Sequence, residues 1–335
     1  MASVLRNKHS VGLKLLLLLP LVAITASAFA AESSNVPPYP SKPIRLIVPF
    51  APGGGTDMIA RVLSQEASTG LRSTIVIDNR GGAGGVVGTE LGIAAPSDGY
   101  TLTLGSGSYA TSAAVSELRY DPIRDITPII LVGDSPFLMT VNPSLAANNL
   151  QDLIRLAKAK PGSLSYGTTG TGGITHLAME LFDMMAGTQM VQIPYKGTAP
   201  ALNDAIGGQI PVMLGTAPST LPHVRSKRLR ALAVTSAQRF SMIPDLPTVR
   251  EAGVPSYEAT TWYAIWGPKK LPDNVVSRLN NEFSRALTVP AIRKKLEVEA
   301  LEIRGGAPKV FEQLLARDIA KWKQVVKQAN IKVAS

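Results

Sequence analysis

Short apolar runs alternate with amphipathic helical patterns along most of this chain, and no other feature constrains its fold so strongly. Runs rich in Ile, Val, Leu and Thr at Ile44 to Pro49, Thr74 to Asp78, Tyr100 to Leu104, Pro128 to Val132, Leu138 to Val141, Met190 to Pro194, Ile210 to Leu214 and Leu229 to Val234 read as strands. Between many of them lie helical faces. Met58 to Glu66 puts Ile59, Val62 and Leu63 on one side, and Ile174 to Met185 does so with Ile174, Leu177, Ala178, Leu181, Phe182 and Met185. This alternation predicts an α/β chain with largely parallel sheets. Asn274 to Leu287 and Pro308 to Ala329 read as long amphipathic helices, the second buried through Val310, Phe311, Leu314, Leu315, Ile319 and Trp322.

The pattern breaks with Pro, Gly and aromatic residues around Asn142-Pro143 and around Pro255 to Trp266. Two breaks predict two crossings between a discontinuous first domain, residues 31–132 and 259–335, and an inserted second one, residues 133–258, with a ligand cleft between them. A chain of 335 residues, 45% hydrophobic and 17% charged, has ample material for two cores and is too apolar to be disordered. The absence of Cys excludes disulfides, thiolate metal sites, thiol nucleophiles and a lipidated N-terminal Cys.

Residues 1–30 read as a secretory signal: Arg6, Lys8 and Lys14 are the basic region, Leu15 to Ile24 the apolar core, and Ala28-Phe29-Ala30 an A-x-A cleavage site. A membrane span needs about 20 apolar residues; this run is shorter and carries Pro20. Export without a lipid anchor predicts a periplasmic protein with Ala31 at its mature N-terminus. Loss of the three signal cations takes the net charge from +10 to +7. The remaining basic residues are scattered among acids, and the densest runs, Arg225 to Arg230 and Arg293 to Lys295, lack interleaved aromatics, so a nucleic-acid partner is not expected.

Three loops carry the chemistry. Pro49-Phe50-Ala51-Pro52-Gly53-Gly54-Gly55-Thr56-Asp57 lies directly after a strand and before a helix. Its glycines let backbone N–H groups turn into a concavity at a helix N-terminus, where partial positive charge favours an anion. Asp57 fits the first helical turn better than a catalytic role. Tyr166-Gly167-Thr168-Thr169-Gly170-Thr171-Gly172-Gly173-Ile174-Thr175-His176 repeats the arrangement, with Thr168, Thr169 and Thr171 able to donate to a carboxylate and His176 in the first turn of the following helix.

Gly105-Ser106-Gly107-Ser108-Tyr109-Ala110 formally fits G-x-G-x-x-A, but the acidic residue expected about 20 positions on has no candidate at the end of the next strand. No P-loop lysine, G-x-S-x-G elbow or metal-ligand cluster occurs, and His176 and His223 are the only histidines past the signal segment. The residues thus predict no cofactor, no metal and no catalytic pair. Trp262, Tyr263 and Trp266 read as packing residues that also have the chemistry to stack on a ligand.

Beside this reading, the chain resembles the periplasmic substrate-binding proteins of tripartite tricarboxylate transporters, the Bug family. The likeness runs through Tyr39 to Arg45, Val48 to Asp57, Asp78-Asn79-Arg80 with Gly82 to Gly85, Asp98 to Leu102, Tyr166 to Leu177, Pro194-Tyr195-Lys196-Gly197, Ala199-Pro200-Ala201, Asp204, Gly207-Gly208-Gln209, Leu229 to Thr235 and Pro244 to Val249. It implies a two-domain periplasmic binding protein fold of type II-like form, a small carboxylate ligand, transient docking on membrane transporter subunits, a monomer, and neither catalysis nor cofactor. It places the ligand against Phe50, Gly54, Gly55, Thr56 and Asp57 of the first loop and Thr168, Thr169, Gly170, Thr171, Gly172, Gly173 and His176 of the second. Further contacts come from Ser106, Tyr109 and Ala110. The sequence departs from the family at Tyr109, where His is usual, and at Gly81, where Pro is usual. A ligand-sensing receptor component and an enzyme on the same scaffold are the rival readings; the enzyme lacks an acid–base pair.

Overall fold

The computed structural model describes residues 39–298 and 300–328; the expected signal segment lies outside the described residues. The first half of the chain runs β1 (Ile44–Val48), α1 (Gly55–Leu71), β2 (Ile75–Asn79), a 3-10 turn (Ala83–Gly85), α2 (Val86–Ile93), β3 (Thr101–Ser106), α3 (Ser108–Val115) and β4 (Ile126–Val141). It continues with α4 (Leu150–Ala159), β5 (Ser165–Thr168), α5 (Ile174–Ala186), β6 (Val191–Pro194), α6 (Thr198–Ile206), β7 (Val212–Thr216), α7 (Ala217–Arg225) and β8 (Arg230–Val234). The chain closes with β9 (Thr260–Pro268), α8 (Asp273–Thr288), α9 (Pro290–Val298), β10 (Glu302–Ile303) and α10 (Pro308–Gln328).

One sheet runs in the order β2-β1-β3-β9-β4-β7-β5-β6, with β8 and β10 also pairing β4. Its two wings, β2-β1-β3 and β7-β5-β6, are parallel, as strand–helix alternation requires. The centre is not: β9 runs antiparallel to both β3 and β4, and β4 antiparallel to β7 and β8. The expectation of largely parallel sheets is corrected here, because two long strands return between the wings.

The strands expected at Pro128 to Val132 and Leu138 to Val141 are one strand, β4. From Ile126 to Pro136 it pairs β9, and from Phe137 onward it pairs β7 and β8. The chain therefore passes from one wing to the other inside a continuous strand, whose register shifts near Pro128/Ile130 and Leu131/Gly133 let it bend. Asn142-Pro143 merely ends that strand. The return passage, read from sequence as a break at Pro255 to Trp266, contains β9, inserted between β3 and β4.

Each wing has its own core. Ile44, Leu46 and Val48 of β1 pack with Ile59, Ala60, Leu63 and Ala67 of α1 and Leu279 and Phe283 of α8. Each fully buried Leu, Ile or Phe there contributes about 1.5–3 kcal/mol relative to exposure. The other core gathers Met139 and Val141 of β4, Leu153 of α4 and Leu177 and Phe182 of α5; it extends to Trp262 and Trp266 of β9 and to Phe311, Leu315, Ile319 and Trp322 of α10. On α10 the predicted apolar face is rotated slightly, leaving Val310 43% exposed. No described helix is long and apolar enough to cross a membrane.

Candidate ligand-binding site

Every parallel strand in this topology delivers the chain to a helix N-terminus at the same edge of the sheet. At the seam between the wings five of these starts meet: α1 at Gly55, α3 at Ser108, α5 at Ile174, α6 at Thr198 and α7 at Ala217. In none of the five does the residue just before the helix cap it with its own side chain, although Ile174 N of α5 donates to Ser108 Oγ of α3. By contrast α4, on the far side, is capped by Asn149, whose side chain accepts from Asp152 N at 2.9 Å. First-turn amides without an N-cap side chain offer donors and the positive end of the helix dipole, so the electrostatics of this seam favour a negative group.

The cavity at the seam encloses about 310 Å³ free of atoms, part of it open to solvent. Phe50, Gly54, Gly55, Thr56, Ser106 and Ser108 line it from one wing, Thr169, Ile174, Thr175, Thr198 and Thr216 from the other, and Thr261 from β9. Eight of these are hydroxyl residues and none is charged. Attraction for an anion must come from dipoles: each donor to a charged acceptor is worth about 1.5–3 kcal/mol, and a partly buried helix end up to about 2 kcal/mol.

The wings touch around this cavity. Ala51 N donates to Lys196 O at 2.9 Å, and Ile174 N, the first amide of α5, donates to Ser108 Oγ at 3.1 Å. Thr169 N donates to Thr175 Oγ1 at 2.9 Å, and the two threonine hydroxyls lie 3.0 Å apart, which fixes their rotamers. Thr216 Oγ1 pairs with Ser219 Oγ at 2.8 Å.

Of the residues expected to bind ligand, Phe50, Gly54, Gly55, Thr56, Ser106 and Thr169 are brought together here. The others have different places. The Asp57 carboxylate turns away from the cavity, accepting from Gly53 N at 2.9 Å, Arg61 Nε at 2.9 Å and Asn79 Nδ2 at 3.1 Å. Thr168 Oγ1 accepts from Gln192 Nε2 at 2.9 Å. Gly170 and Thr171 lie against the Ala83–Gly85 turn, and Gly173 is the residue before α5. His176 accepts at Nδ1 from Gly172 N at 3.2 Å and sets Nε2 3.6 Å from Glu180, so its ring is tied into its own loop. That contact, ahead of the hydrogen bond from Tyr166, holds the Glu180 carboxyl below its usual range. Tyr109 lines an adjoining cavity and Ala110 is fully buried in the core.

Thr198, Thr216 and Thr261 were not singled out in the sequence. Thr216 had a local signal: Gly215-Thr216-Ala217-Pro218 sets a hydroxyl just before a helix start marked by Pro. Thr261 had none, as it reaches the cavity only through the pairing of β9. Among the described residues no group of three or more His, Asp or Glu side chains is placed to hold a metal ion.

Asp57 gives a testable anchor. Burial opposes its charged form, but hydrogen bonds from Arg61, Gly53 N and Asn79 outweigh that and lower its pKa. A carboxyl depressed in the folded state stabilises it above the ordinary pKa near 4, and this contribution disappears as pH falls through the folded value. Arg61 is the largest of the lowering causes but is half exposed, so solvent screening reduces its share. Asp57→Asn is expected to cost about 1.5–3 kcal/mol at pH 7 in urea denaturation, with the gap from the parent narrowing below about pH 4. A gap that is constant with pH contradicts this account.

A two-wing α/β scaffold with an uncharged, donor-rich cavity at its seam defines a solute-binding protein. The chain belongs to the tripartite tricarboxylate transporter family receptor family, whose model matches residues 59–331. BugT of Bordetella pertussis is 35% identical over 328 residues, covering 96% of this chain and 98% of that one. Among solved structures, Rpa4515 of R. palustris with adipate is 36% identical, with a TM-score of 0.85 over 88% of this chain and 99% of that one. MatC of Rhodopseudomonas palustris with bound malate is 29% identical, with a TM-score of 0.83 over 86% and 100%. The expected family and fold class are thereby established; this is a family of periplasmic solute-binding proteins.

Proposed function

We propose that this protein captures a small organic carboxylate in the seam cavity and delivers it, chemically unchanged, to the membrane subunits of a tripartite transporter. The convergence of five helix starts, none capped by the side chain of its own N-cap residue, on one uncharged cavity carries this reading, because it selects an anion without a fixed cation. The adipate and malate bound by two relatives are acids of the same class. In this reading residues 31–132 with 259–335 and residues 133–258 move as two domains, hinged where β4 and the segment before β9 join them. Closure excludes water and strengthens the amide and hydroxyl bonds to the ligand. Export is completed by cleavage after Ala30, leaving an unlipidated periplasmic monomer.

The test is a thermal-shift and calorimetric screen of mono-, di- and tricarboxylates against the matching amides. Carboxylates alone are expected to bind, and mass spectrometry after prolonged incubation is expected to return them intact. Conversion of a bound acid would favour an enzyme, and equal binding of the amides would remove the anion argument.

A further inference from the structure

At the seam the Ser108 side chain bonds one wing to the other. Ser108, the first residue of α3, accepts at Oγ from Ile174 N, the first amide of α5, at 3.1 Å. α3 follows β3 of one wing, and α5 follows β5 of the other. Each end of this bond is held from its own side. Gly107 N donates to Thr261 Oγ1 at 3.2 Å and to Trp262 O at 3.0 Å, which ties the α3 start to β9, and Thr111 Oγ1 donates to Ser108 O at 3.1 Å. In the opposite loop Thr169 N donates to Thr175 Oγ1 at 2.9 Å and Gly173 N to Gly170 O at 3.1 Å, which sets the backbone that presents Ile174 N. Ser108 and Ile174 are each 2% exposed, so removal of the hydroxyl leaves a buried donor unpaired.

We propose that Ser108 is a closure latch, a positioning residue that holds the wings together across the seam and contributes one common factor to the affinity for every acid. The inference rests on the carboxylate and closure reading of the seam cavity. Both partners of the bond are protein groups, so its strength does not depend on which ligand lies beside it. In the open arrangement water satisfies Ser108 Oγ and Ile174 N separately; in the closed one they satisfy each other. The ligand enters before the wings meet, so a residue that acts on the closed form alone changes dissociation and leaves encounter unchanged. A residue that touches the ligand changes affinity by a factor set by the ligand's shape. The neighbouring bond from Ala51 N to Lys196 O joins two backbones and does not involve Ser108, so it persists as an internal control.

Calorimetric and stopped-flow binding of malate and of adipate to the parent and to Ser108→Ala tests this. Ser108→Ala is expected to raise Kd for both acids by the same factor, at least about fivefold, through a faster off-rate at unchanged on-rate. Ile174→Pro removes the N–H from the other side of the bond. Proline suits a first helical position, and Gly173 before it is extended, with φ of -70° and ψ of 164°. In that background Ser108→Ala is expected to change Kd by less than about twofold, because the two changes remove the same bond. Factors that differ between malate and adipate, or an undiminished loss in the Ile174→Pro background, would make Ser108 a ligand contact and overturn the latch. Unchanged affinity of Ser108→Ala overturns it too. Should Ile174→Pro fail to fold by circular dichroism, the rate split and the equality of the two factors decide. If the parent binds neither acid, that failure belongs to the carboxylate reading, and amide hydrogen exchange at Ile174 decides the latch: exchange at least about fivefold faster in Ser108→Ala upholds it, and an unchanged rate overturns it.

Discussion

Gly55→Val is expected to reduce carboxylate affinity by at least about a hundredfold while leaving the far-ultraviolet circular dichroism spectrum unchanged. A Cβ at Gly55 would lie 2.8 Å from Thr216 Oγ1 and 3.2 Å from Tyr263 Oη. Thr216 belongs to the opposite wing and its hydroxyl is held by Ser219, so the added group must displace the α7 start or the ligand. Val adds two methyl groups beyond that Cβ. Loss of the amides of α1 and of the hydroxyl at Thr216 removes two or more donors to a charged oxygen, about 3–6 kcal/mol at 1.5–3 kcal/mol each. Unchanged calorimetric affinity would mean that the glycine run is only a turn and the ligand lies elsewhere.

Gly84→Ala acts on closure rather than on the ligand. Gly84 has φ of +64°, and a Cβ there would meet Thr171 O at 2.8 Å and Gly173 N at 3.0 Å. Both are backbone atoms of the second glycine loop, so no side-chain rotation relieves the contact. The left-handed backbone costs about 1 kcal/mol in open and closed forms alike and shows as reduced stability. The clash burdens only the closed form, adding about 1–3 kcal/mol to binding, a loss of about five- to 150-fold. Small-angle scattering should show the ligand compacting the parent and failing to compact the variant. Equal compaction of both would show that the Ala83–Gly85 turn and the Gly170–Gly173 loop need not meet when ligand is bound.

The two glycine loops were legible in the sequence because their signals are local. A strand, a run of Gly and Thr, and an amphipathic helix lie within a dozen residues, and backbone geometry alone puts the amides of Gly55 and Thr175 at helix starts. Asp57 was equally readable as a first-turn residue, since its reach to Gly53 N spans four positions. The α/β alternation, the two glycine cradles and the family likeness were thus determined by residues close together in the chain. What the tertiary structure decided is how those cradles meet and what stands beside them. Insertion of β9 between β3 and β4 brings Trp266 opposite Thr103 and places Thr261 at the cavity, and no local pattern specifies a pairing across more than 150 residues. The same pairing stacks Trp266 on Tyr109, turning a residue of the third loop away from the seam and into an aromatic cavity. Spacing along a chain fixes which groups a loop offers; only long-range strand pairing fixes which loops face one another, because that energy comes from contacts between segments distant in sequence.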